Sequence, residues 1–308
     1  MGEFYRPPFG LRGRALNLLQ NSLVAAPAFT LYGYNQANVG GLIKLQDWSK
    51  TFPEIDTIHP NGSSQDTKST LQGFTVATFV VGAIVGAVSC AWIGDLLGRR
   101  KGVLTAAILS LIGVALEASS FSYAQLVVGR VTLGLGAGMV TSLIPVWQSE
   151  TSSSHNRGRQ VVLDGIFLAF GYVLESWINL GFYELKTGPV TWRPPIAIGG
   201  IMSIVLLLSI HIFPESPRWL IMKDRCEEAR AIIGVIRNLP EDSLEVEAEM
   251  TSVRIVLEQS KANEVKLTHV FRNGPDRLFY RFALCILLQF YPQMAWVTRY
   301  QPVRNQLY

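Results

Sequence analysis

The chain has 308 residues, of which 49% are hydrophobic and only 16% are charged, whereas soluble domains average about 25% charged residues. The net charge of +4 is small and spread along the chain, so it does not indicate nucleic-acid binding. Cys90, Cys226 and Cys285 are widely spaced and predict neither a disulfide framework nor a metal site. Several windows of about 20 residues are nearly free of charge, which is the length that crosses a bilayer as a helix.

Six apolar segments are predicted to be membrane helices, because backbone polar groups must be satisfied within the bilayer. The segments lie near residues 20–42, 71–94, 102–120, 124–147, 161–183 and 194–213. The first begins near Asn21 and is followed by no small-residue cleavage site, which indicates a retained helix and not a signal peptide. A weaker seventh run covers about 278–296, and its apolar character fades soon after Phe290. The predicted class is an all-α, multi-pass membrane protein.

The distribution of lysine and arginine predicts that the N-terminus lies in the cytoplasm. Residues 1–19 then form a cytoplasmic N-terminus, residues 20–213 a six-helix bundle, and residues 214–277 a cytoplasmic linker of short amphipathic helices. Residues 278–308 form a partial seventh membrane helix and a divergent tail. The first loop, 43–70, is placed outside and carries the glycosylation acceptor pattern Asn61-Gly62-Ser63, for which a chance match is an equal alternative.

Charged motifs cluster at the predicted cytoplasmic ends of the helices. Asp95 precedes a glycine turn and the cations Arg99, Arg100 and Lys101. Such a loop can pair with acids on neighbouring helix ends as two groups of helices rock, or it can serve membrane topology alone. Glu150 ends the fourth apolar segment and precedes Arg157; it is either an ionic partner of the Arg99 loop or a solvated helix end.

The segment Phe213-Pro214-Glu215-Ser216-Pro217-Arg218-Trp219-Leu220 follows the sixth apolar run. Its two prolines prevent the helix from continuing smoothly. Glu215 and Arg218 supply opposite charges where the membrane is predicted to end. The segment therefore predicts an ionic latch, with an ordinary charged helix stop as the alternative.

Polar side chains within the apolar segments are candidates for function, because they are costly in a bilayer. Asn35 and Gln36 can bond the hydroxyl groups of a ligand or a neighbouring helix. Arg130 needs a partner or a polar cavity. Asp164 either faces a cavity or reaches the interface. Glu117 and Glu175 are placed near the outer surface, where a functional role has less support.

Taken together, these residues resemble the sugar porter family of the major facilitator superfamily, and its fungal members in particular. The resemblance covers about residues 10–290. The residues that carry it are Gly33-Tyr34-Asn35-Gln36, Asp95 to Arg100, Gly129-Arg130, Pro145 to Glu150 with Arg157-Gly158, Trp192-Arg193-Pro194-Pro195, and Pro214 to Arg218.

The resemblance implies two bundles of six helices that bind a sugar between them and move it by alternating access. It also implies a cytoplasmic charge network that stabilises the outward-facing state. Network positions are Asp95, Arg99, Arg100, Glu150, Arg157, Glu215 and Arg218. Substrate-binding or coupling positions are Asn35, Gln36, Arg130, Asp164 and Gln289. A plasma-membrane location follows from the family alone.

The chain departs from the family at several positions. Proton-coupled members have an aspartate where this chain has Asn35, which cannot titrate in this range. Facilitated diffusion is therefore expected, unless Asp164 carries the proton. The seventh-helix motif keeps only Gln289, and helices eight to twelve are missing.

Two functions remain open. The first is membrane transport of a hexose or related sugar, with the bilayer, the sugar and protons as the partners considered. The second is a non-transporting membrane protein, either a sensor-like relative or a half-transporter fragment, for which self-association is an open question. No cofactor, metal or nucleic acid is expected. The histidines are scattered and no nucleophile arrangement is present in the sequence, so an enzyme is not predicted.

Overall fold

The computed structural model describes residues 10–43, 45–56, 65–152, 157–184, 191–262, 279–288 and 290–291. All regular elements in these ranges are helical, which confirms the predicted all-α class. Asn61, Gln289 and most of the predicted tail lie outside the described residues, as does much of the end of the linker. The predictions for these positions therefore stay predictions.

The helices follow one another with short connections. The N-terminal part contains α1 (Gly13–Gln20), a π turn (Asn21–Ala25), α2 (Ala26–Leu42), α3 (Gln46–Thr51) and a 3₁₀ turn (Pro53–Ile55). The long helices that follow are α4 (Gln65–Leu97), α5 (Arg99–Ala118), α6 (Tyr123–Thr151), α7 (Arg157–Tyr183) and α8 (Arg193–Ser209), the last of which ends in a 3₁₀ turn (Ile210–Ile212). The linker contains α9 (Pro217–Met222), α10 (Cys226–Arg237) and α11 (Leu244–Ala262).

Among the described residues, five helices are long and apolar enough to cross a membrane by length and composition: α4, α5, α6, α7, and α8 with its 3₁₀ turn. Each of these helices overlaps one predicted membrane segment, and the ends of the helix and of the segment differ by only a few residues. The first predicted segment, 20–42, consists of the π turn and α2, which continue one another without a break. Large apolar side chains are exposed along α4 and α7, as expected for surfaces that face lipid or another bundle.

The bundle is held together by closely packed helix pairs, of which α4–α6 and α2–α7 run parallel and α5–α6 runs antiparallel. Helix α6 packs against both α4 and α5, α2 packs against α7, and α8 packs against α2 and α5. Glycines face backbone across the α4–α6 contact: a side chain at Gly82 or Gly86 would meet α6, and one at Gly134 or Gly138 would meet α4. The glycines of α6 thus let membrane helices approach closely.

Replacing Gly138 with alanine should separate α4 from α6. An added Cβ would lie 2.6 Å from the Cα atom of Ala83 and closer still to its carbonyl oxygen, and backbone cannot move aside as a flexible side chain can. We expect a loss of about 1–3 kcal/mol in the free energy of unfolding in detergent. Gly165→Ala is the matched control, because nothing lies within 4 Å of a Cβ there and alanine favours a helix. Equal stability of the two variants would contradict this packing.

The linker begins with short helices fixed by local caps. The Ser216 hydroxyl accepts a hydrogen bond from the Trp219 N–H at the start of α9. Helix α10 buries its apolar face, including Ile232 and Ile236, and ends at Asn238 in the left-handed conformation. Arg237 then makes two hydrogen bonds to the Glu249 carboxylate on α11. The predicted amphipathic helices of the linker are therefore present.

Residues up to Thr251 form one compact unit, and residues from Ser252 onward form a second. The second unit contains a short apolar helix, α12 (Phe279–Leu288). The ten residues of this continuous described stretch are fewer than the roughly 20 needed to cross a bilayer. This agrees with the prediction of a partial seventh helix.

Candidate functional site: a charge latch and a polar bundle interior

A cluster of four charged residues lies where α4 ends and α5 begins. We call Asp95, Arg99, Glu150 and Glu215 the charge latch. Gly98 between α4 and α5 has a φ of +88°, a conformation that favours glycine. A side chain there would also meet the Glu215 carboxylate and the Trp219 ring. The latch therefore requires glycine at position 98, whereas membrane topology alone would need only the positive charges.

Glu215 acts as the cap of α5. Its Oε1 atom accepts hydrogen bonds from the backbone N–H groups of Arg99 at 2.9 Å and Arg100 at 3.1 Å, and Oε2 accepts a further one from Arg100 at 3.2 Å. The first N–H groups of a helix lack partners within it, and the helix dipole favours a negative charge at this end. Glu215 therefore holds the segment after α8 to the start of α5 through backbone groups.

Arg99 and Glu150 form a two-bonded ion pair between α5 and α6. The Arg99 Nε and Nη2 atoms each lie 2.9 Å from a different oxygen of Glu150. Nη1 donates to the Gly94 carbonyl at 2.9 Å and approaches Asp95 at 3.4 Å. The side chains of Arg99 and Glu150 are only 11% and 6% exposed. This geometry suits the planar fork of arginine and not the single ammonium of lysine.

Two further hydrogen bonds tie α9 and the end of α8 to the same place. The indole N–H of Trp219 donates to the Asp95 carbonyl at 3.1 Å. The Arg100 guanidinium donates to the His211 carbonyl at 2.9 Å. The latch therefore joins the ends of α4, α5 and α6 to the segment that leaves the bundle.

Burial raises the pKa of the Glu215 carboxyl above its ordinary value, although backbone N–H groups of Ser216, Arg100 and Arg99 act in the opposite direction. Folding then favours the protonated form. The contribution of Glu215 to stability is fully present below its unfolded pKa and declines as the pH rises through its folded pKa.

Glu215→Gln removes this titration and keeps one acceptor oxygen. We therefore expect the stability of the unmodified chain relative to Glu215→Gln to fall as the pH is raised from the acidic to the neutral range. Denaturant unfolding in detergent at a series of pH values measures the difference. Glu227→Gln, an exposed carboxyl on α10, is the control. A difference that grows with pH would mean that charge stabilisation by the helix N-terminus exceeds the cost of burial.

Arg157 and Arg218 were predicted to belong to the network, but the structure does not bring them to the latch. Both side chains are exposed, and neither has an ion pair with a charged residue in the described ranges. Arg218 lies one turn from Glu215 on a helix whose buried face carries Trp219 and Leu220. Their membership of a charge network stays a prediction.

Asn35 and Gln36 lie on α2, and their amides point to different partners. The Asn35 Nδ2 atom donates to the Leu31 carbonyl of its own helix at 2.9 Å, while its buried Oδ1 atom accepts no hydrogen bond from a described residue. Gln36 accepts a hydrogen bond of 2.6 Å from the Tyr172 hydroxyl on α7. Gln36 thus bonds a neighbouring helix, the alternative that the sequence left open.

Arg130 is fully buried in α6, and its partner is Glu117 on α5. The Arg130 Nη1 atom lies 3.9 Å from Glu117 Oε2, and each side chain is 1% exposed. The guanidinium also lies 5.3 Å from the centroid of the Phe79 ring, within the range of a cation–π contact. The sequence placed Glu117 near the outer surface with a weak claim to function. The structure instead buries it beside Arg130. An acid within an apolar helix was the signal that could have identified it.

Asp164 and Glu175 on α7 are both buried and both hydrogen-bonded. Asp164 accepts from the Gln148 amide at 3.2 Å, and the same amide nitrogen lies 3.1 Å from the Asn21 side chain. Glu175 accepts from Asn179 and Ser176 one turn or less away. Asp164 therefore faces the interior of the bundle between α6 and the π turn.

Two cavities accompany these groups. One, of about 300 Å³, lies between α1, the start of α7 and the end of α10 and is lined by residues that include Arg14, Arg159 and Ser152. The other, of about 480 Å³, is an apolar groove between α2, α7 and α8. Neither is lined by Asn35, Gln36 or Arg130. Within the described ranges no group of three histidine, cysteine or acidic side chains could hold a metal ion.

Comparison with known proteins identifies the family and the fold of this chain. The family model "Sugar (and other) transporter" matches residues 21–297. The chain belongs to this family. Its members are carriers and not enzymes, and the membership makes the chain an integral membrane protein. The resemblance to sugar porters is thereby confirmed.

The relatives are transporters about twice as long as this chain. "Sugar transporter STL1" of Saccharomyces cerevisiae is 30% identical over 291 residues, which is 93% of this chain and 50% of that protein. "Inositol transporter 4" of Arabidopsis thaliana is 37% identical over 228 residues, which is 74% of this chain and 38% of that protein. The chain therefore spans half or less of the length of these relatives.

Solved structures show the same fold. The proton:xylose symporter XylE, bound to 6-bromo-6-deoxy-D-glucose, matches with a TM-score of 0.72 at 22% identity. The match covers 84% of this chain and 56% of that one. At this identity the likeness concerns the fold alone, which is part of a major facilitator fold.

Proposed function

We propose that this chain is one bundle of a membrane carrier that moves a sugar or related polyol by alternating access. The family match over residues 21–297 carries the proposal. The named relatives are described as sugar and inositol transporters, and sugars and inositols share many neighbouring hydroxyl groups. Amides and hydroxyls inside the bundle, such as the buried amide of Asn35 and the half-buried hydroxyl of Tyr172, are suited to such solutes.

The carrier would need a second bundle to enclose its solute. The chain spans 50% of the length of Sugar transporter STL1, and neither of the two cavities described above is lined by the predicted solute-binding residues. The solute would bind between this bundle and another near the midplane of the membrane.

The charge latch would stabilise one of the two access states. It joins the ends of three membrane helices to the linker through desolvated groups. The hydrogen bonds of such a cluster can be formed in one access state and broken in the other. Position 35 would not couple transport to protons, since an asparagine amide does not titrate in this range. A carrier with no other proton site would be facilitative.

Uptake in yeast that lacks its own sugar carriers tests the proposal. One strain expresses this chain alone, a second expresses it with the C-terminal half of Sugar transporter STL1, and a third expresses that half alone. Labelled glucose and myo-inositol are supplied after membrane expression of each piece is verified. We expect saturable uptake in the second strain above that in the third. Absence of uptake in the first two strains, with both pieces in the membrane, would favour the non-transporting alternative.

The N-terminus is proposed to lie in the cytoplasm and the first loop outside, at the plasma membrane. The lysine and arginine bias supports this orientation. If it is right, Asn61 is accessible to the glycosylation machinery. We then expect a shift in gel mobility on glycosidase treatment in a eukaryotic host, and Asn61→Gln should abolish it. A shift that persists in Asn61→Gln would place the modification elsewhere.

A further inference from the structure

The buried pair of Glu117 and Arg130 lies at the opposite end of α5 from the charge latch. Helix α5 begins at Arg99, where Glu215 caps it, and ends at Ala118, so the two sites are about 30 Å apart along the axis. Trp48, Phe52 and Trp192 pack their rings together at the Glu117 end and belong to the same apolar cluster as Leu126 and Leu133 of α6. The pair therefore lies in an apolar region.

The pair differs from Arg99 and Glu150 in its hydrogen bonds. Both carboxylate oxygens of Glu117 and all three guanidinium nitrogens of Arg130 are buried, and none has a hydrogen-bond partner among the described residues. The closest approach between the charges is 3.9 Å, beyond hydrogen-bond distance. The attraction is therefore coulombic, and adding a proton to Glu117 would break no hydrogen bond in the described bundle.

Two opposing effects act on the Glu117 carboxyl. Burial in an apolar region favours its neutral form, and the cation of Arg130 favours its charged form. Where such effects nearly balance, a small movement of one helix changes which form is preferred. Helix α6 approaches closely because residue 129 is glycine, and a Cβ there would lie 2.8 Å from the Glu117 Cγ atom. The distance between the charges thus depends on the α5–α6 contact.

The other charged groups around the pair are few. Helix α6 contributes Arg130, and α4 contributes the uncharged Phe79 ring. The first residue of α8 is Arg193, whose guanidinium donates to the Ala118 and Ser120 carbonyls at the end of α5. Arg193 is thus a second cation at this end of α5, engaged with backbone and not with the Glu117 carboxylate.

We propose that Glu117 is the proton-binding residue of this bundle and that it takes the coupling role that Asn35 cannot perform. A proton from water forms an O–H bond with the carboxylate, and the pair changes from neutral to a net charge of +1. Arg130 then loses its counter-charge and must find another acceptor, which links proton binding to movement of α6. This inference rests on the proposed transport function and makes the carrier proton-linked.

Infrared difference spectroscopy of the purified chain in lipid nanodiscs tests the proposal. Spectra are recorded at acidic and at mildly alkaline pH. We expect a carbonyl band of a protonated carboxyl group that appears on acidification and is missing in Glu117→Gln. Glu175→Gln is the matched control, because Glu175 is also a buried carboxyl but is hydrogen-bonded to its own helix; this variant should keep the Glu117 band.

Glu117→Gln leaves Arg130 buried without a counter-charge and could therefore misfold. A second variant without this uncompensated charge shows whether the band is lost for that reason. The double variant Glu117→Gln/Arg130→Gln removes both charges and should also lack the band, with helicity confirmed by circular dichroism. An unchanged set of titrating bands in both variants would overturn the proposal. Because the spectra need neither sugar nor flux, uptake without the Glu117 band would refute the proton site alone. The band without uptake would refute only the transport function.

Discussion

Glu117→Gln should lower the free energy of unfolding of the bundle by about 3–5 kcal/mol, because it leaves a buried arginine without its counter-charge. Arg130 has no hydrogen-bond partner among the described residues that could take over that role. Denaturant unfolding of the purified chain in detergent measures the loss. The exposed carboxyl of Glu54, in the 3₁₀ turn after α3, gives the control Glu54→Gln, which should stay within about 0.5 kcal/mol.

The double variant Glu117→Gln/Arg130→Gln separates two contributions to the free energy of unfolding. One is the contribution of the ion pair, and the other is the cost of a buried charge without a counter-charge. Two neutral amides need no counter-charge and can hydrogen-bond one another, so the cost of an uncompensated buried charge is removed. We expect this variant to recover most of the stability that Glu117→Gln loses. A double variant as unstable as the single one would show that packing, and not charge, explains the loss.

Glu150→Gln should cost about 1.5–3 kcal/mol, the range for hydrogen bonds to charged groups. The loss is smaller than for Glu117→Gln because Arg99 keeps the Gly94 carbonyl and the neighbouring Asp95. The measurement is again unfolding in detergent. A full-length carrier would in addition shift between access states, which thiol-reactive probes at engineered cysteines would detect.

Arg218→Ala is the matched comparison for Glu150→Gln. Arg218 lies close in sequence to the latch but is exposed and makes no ion pair in the described bundle, so its removal should change stability by no more than about 0.5 kcal/mol. A loss as large as that of Glu150→Gln would show that Arg218 has a partner within this chain. A small loss agrees with a role, if any, toward a second bundle.

The two ion pairs of the bundle are built for different tasks. Arg99 and Glu150 satisfy one another through two hydrogen bonds, which fix the geometry as well as the charge. Arg130 and Glu117 meet only through their charges, and such a pair can change its protonation state without breaking a hydrogen bond among the described residues. The first suits a latch between helix ends, and the second suits a site that exchanges a proton.

The individual helices could be predicted from sequence with good accuracy. The helix over Tyr123–Thr151 was expected at 124–147, and the one over Arg193–Ser209 at 194–213. A membrane helix is a local feature, since its length is set by the bilayer and its ends by charge, glycine and proline. The interior of the first helix was harder to predict, because the π turn at Asn21–Ala25 has no signal of comparable strength.

The charge latch could be predicted in part. The order of Asp95, Arg99, Glu150 and Glu215 in the chain matched a known family pattern, and the structure brings all four together. The mode of contact was not predictable: Glu215 binds the backbone of a helix N-terminus and not an arginine side chain. Helix-end capping depends on where two segments meet in space, and spacing along the chain does not specify it.

By itself, the sequence determined the membrane class, the approximate extent of the long apolar helices and the family to which the chain belongs, because these depend on hydropathy and on ordered local motifs. Only the tertiary structure decided which polar groups meet. Glu117 and Arg130 are partners because α5 and α6 approach closely at Gly129, and Gln36 is bonded to Tyr172 because α2 lies on α7. Contacts between helices depend on which faces pack together, and charge or polarity alone does not specify that choice.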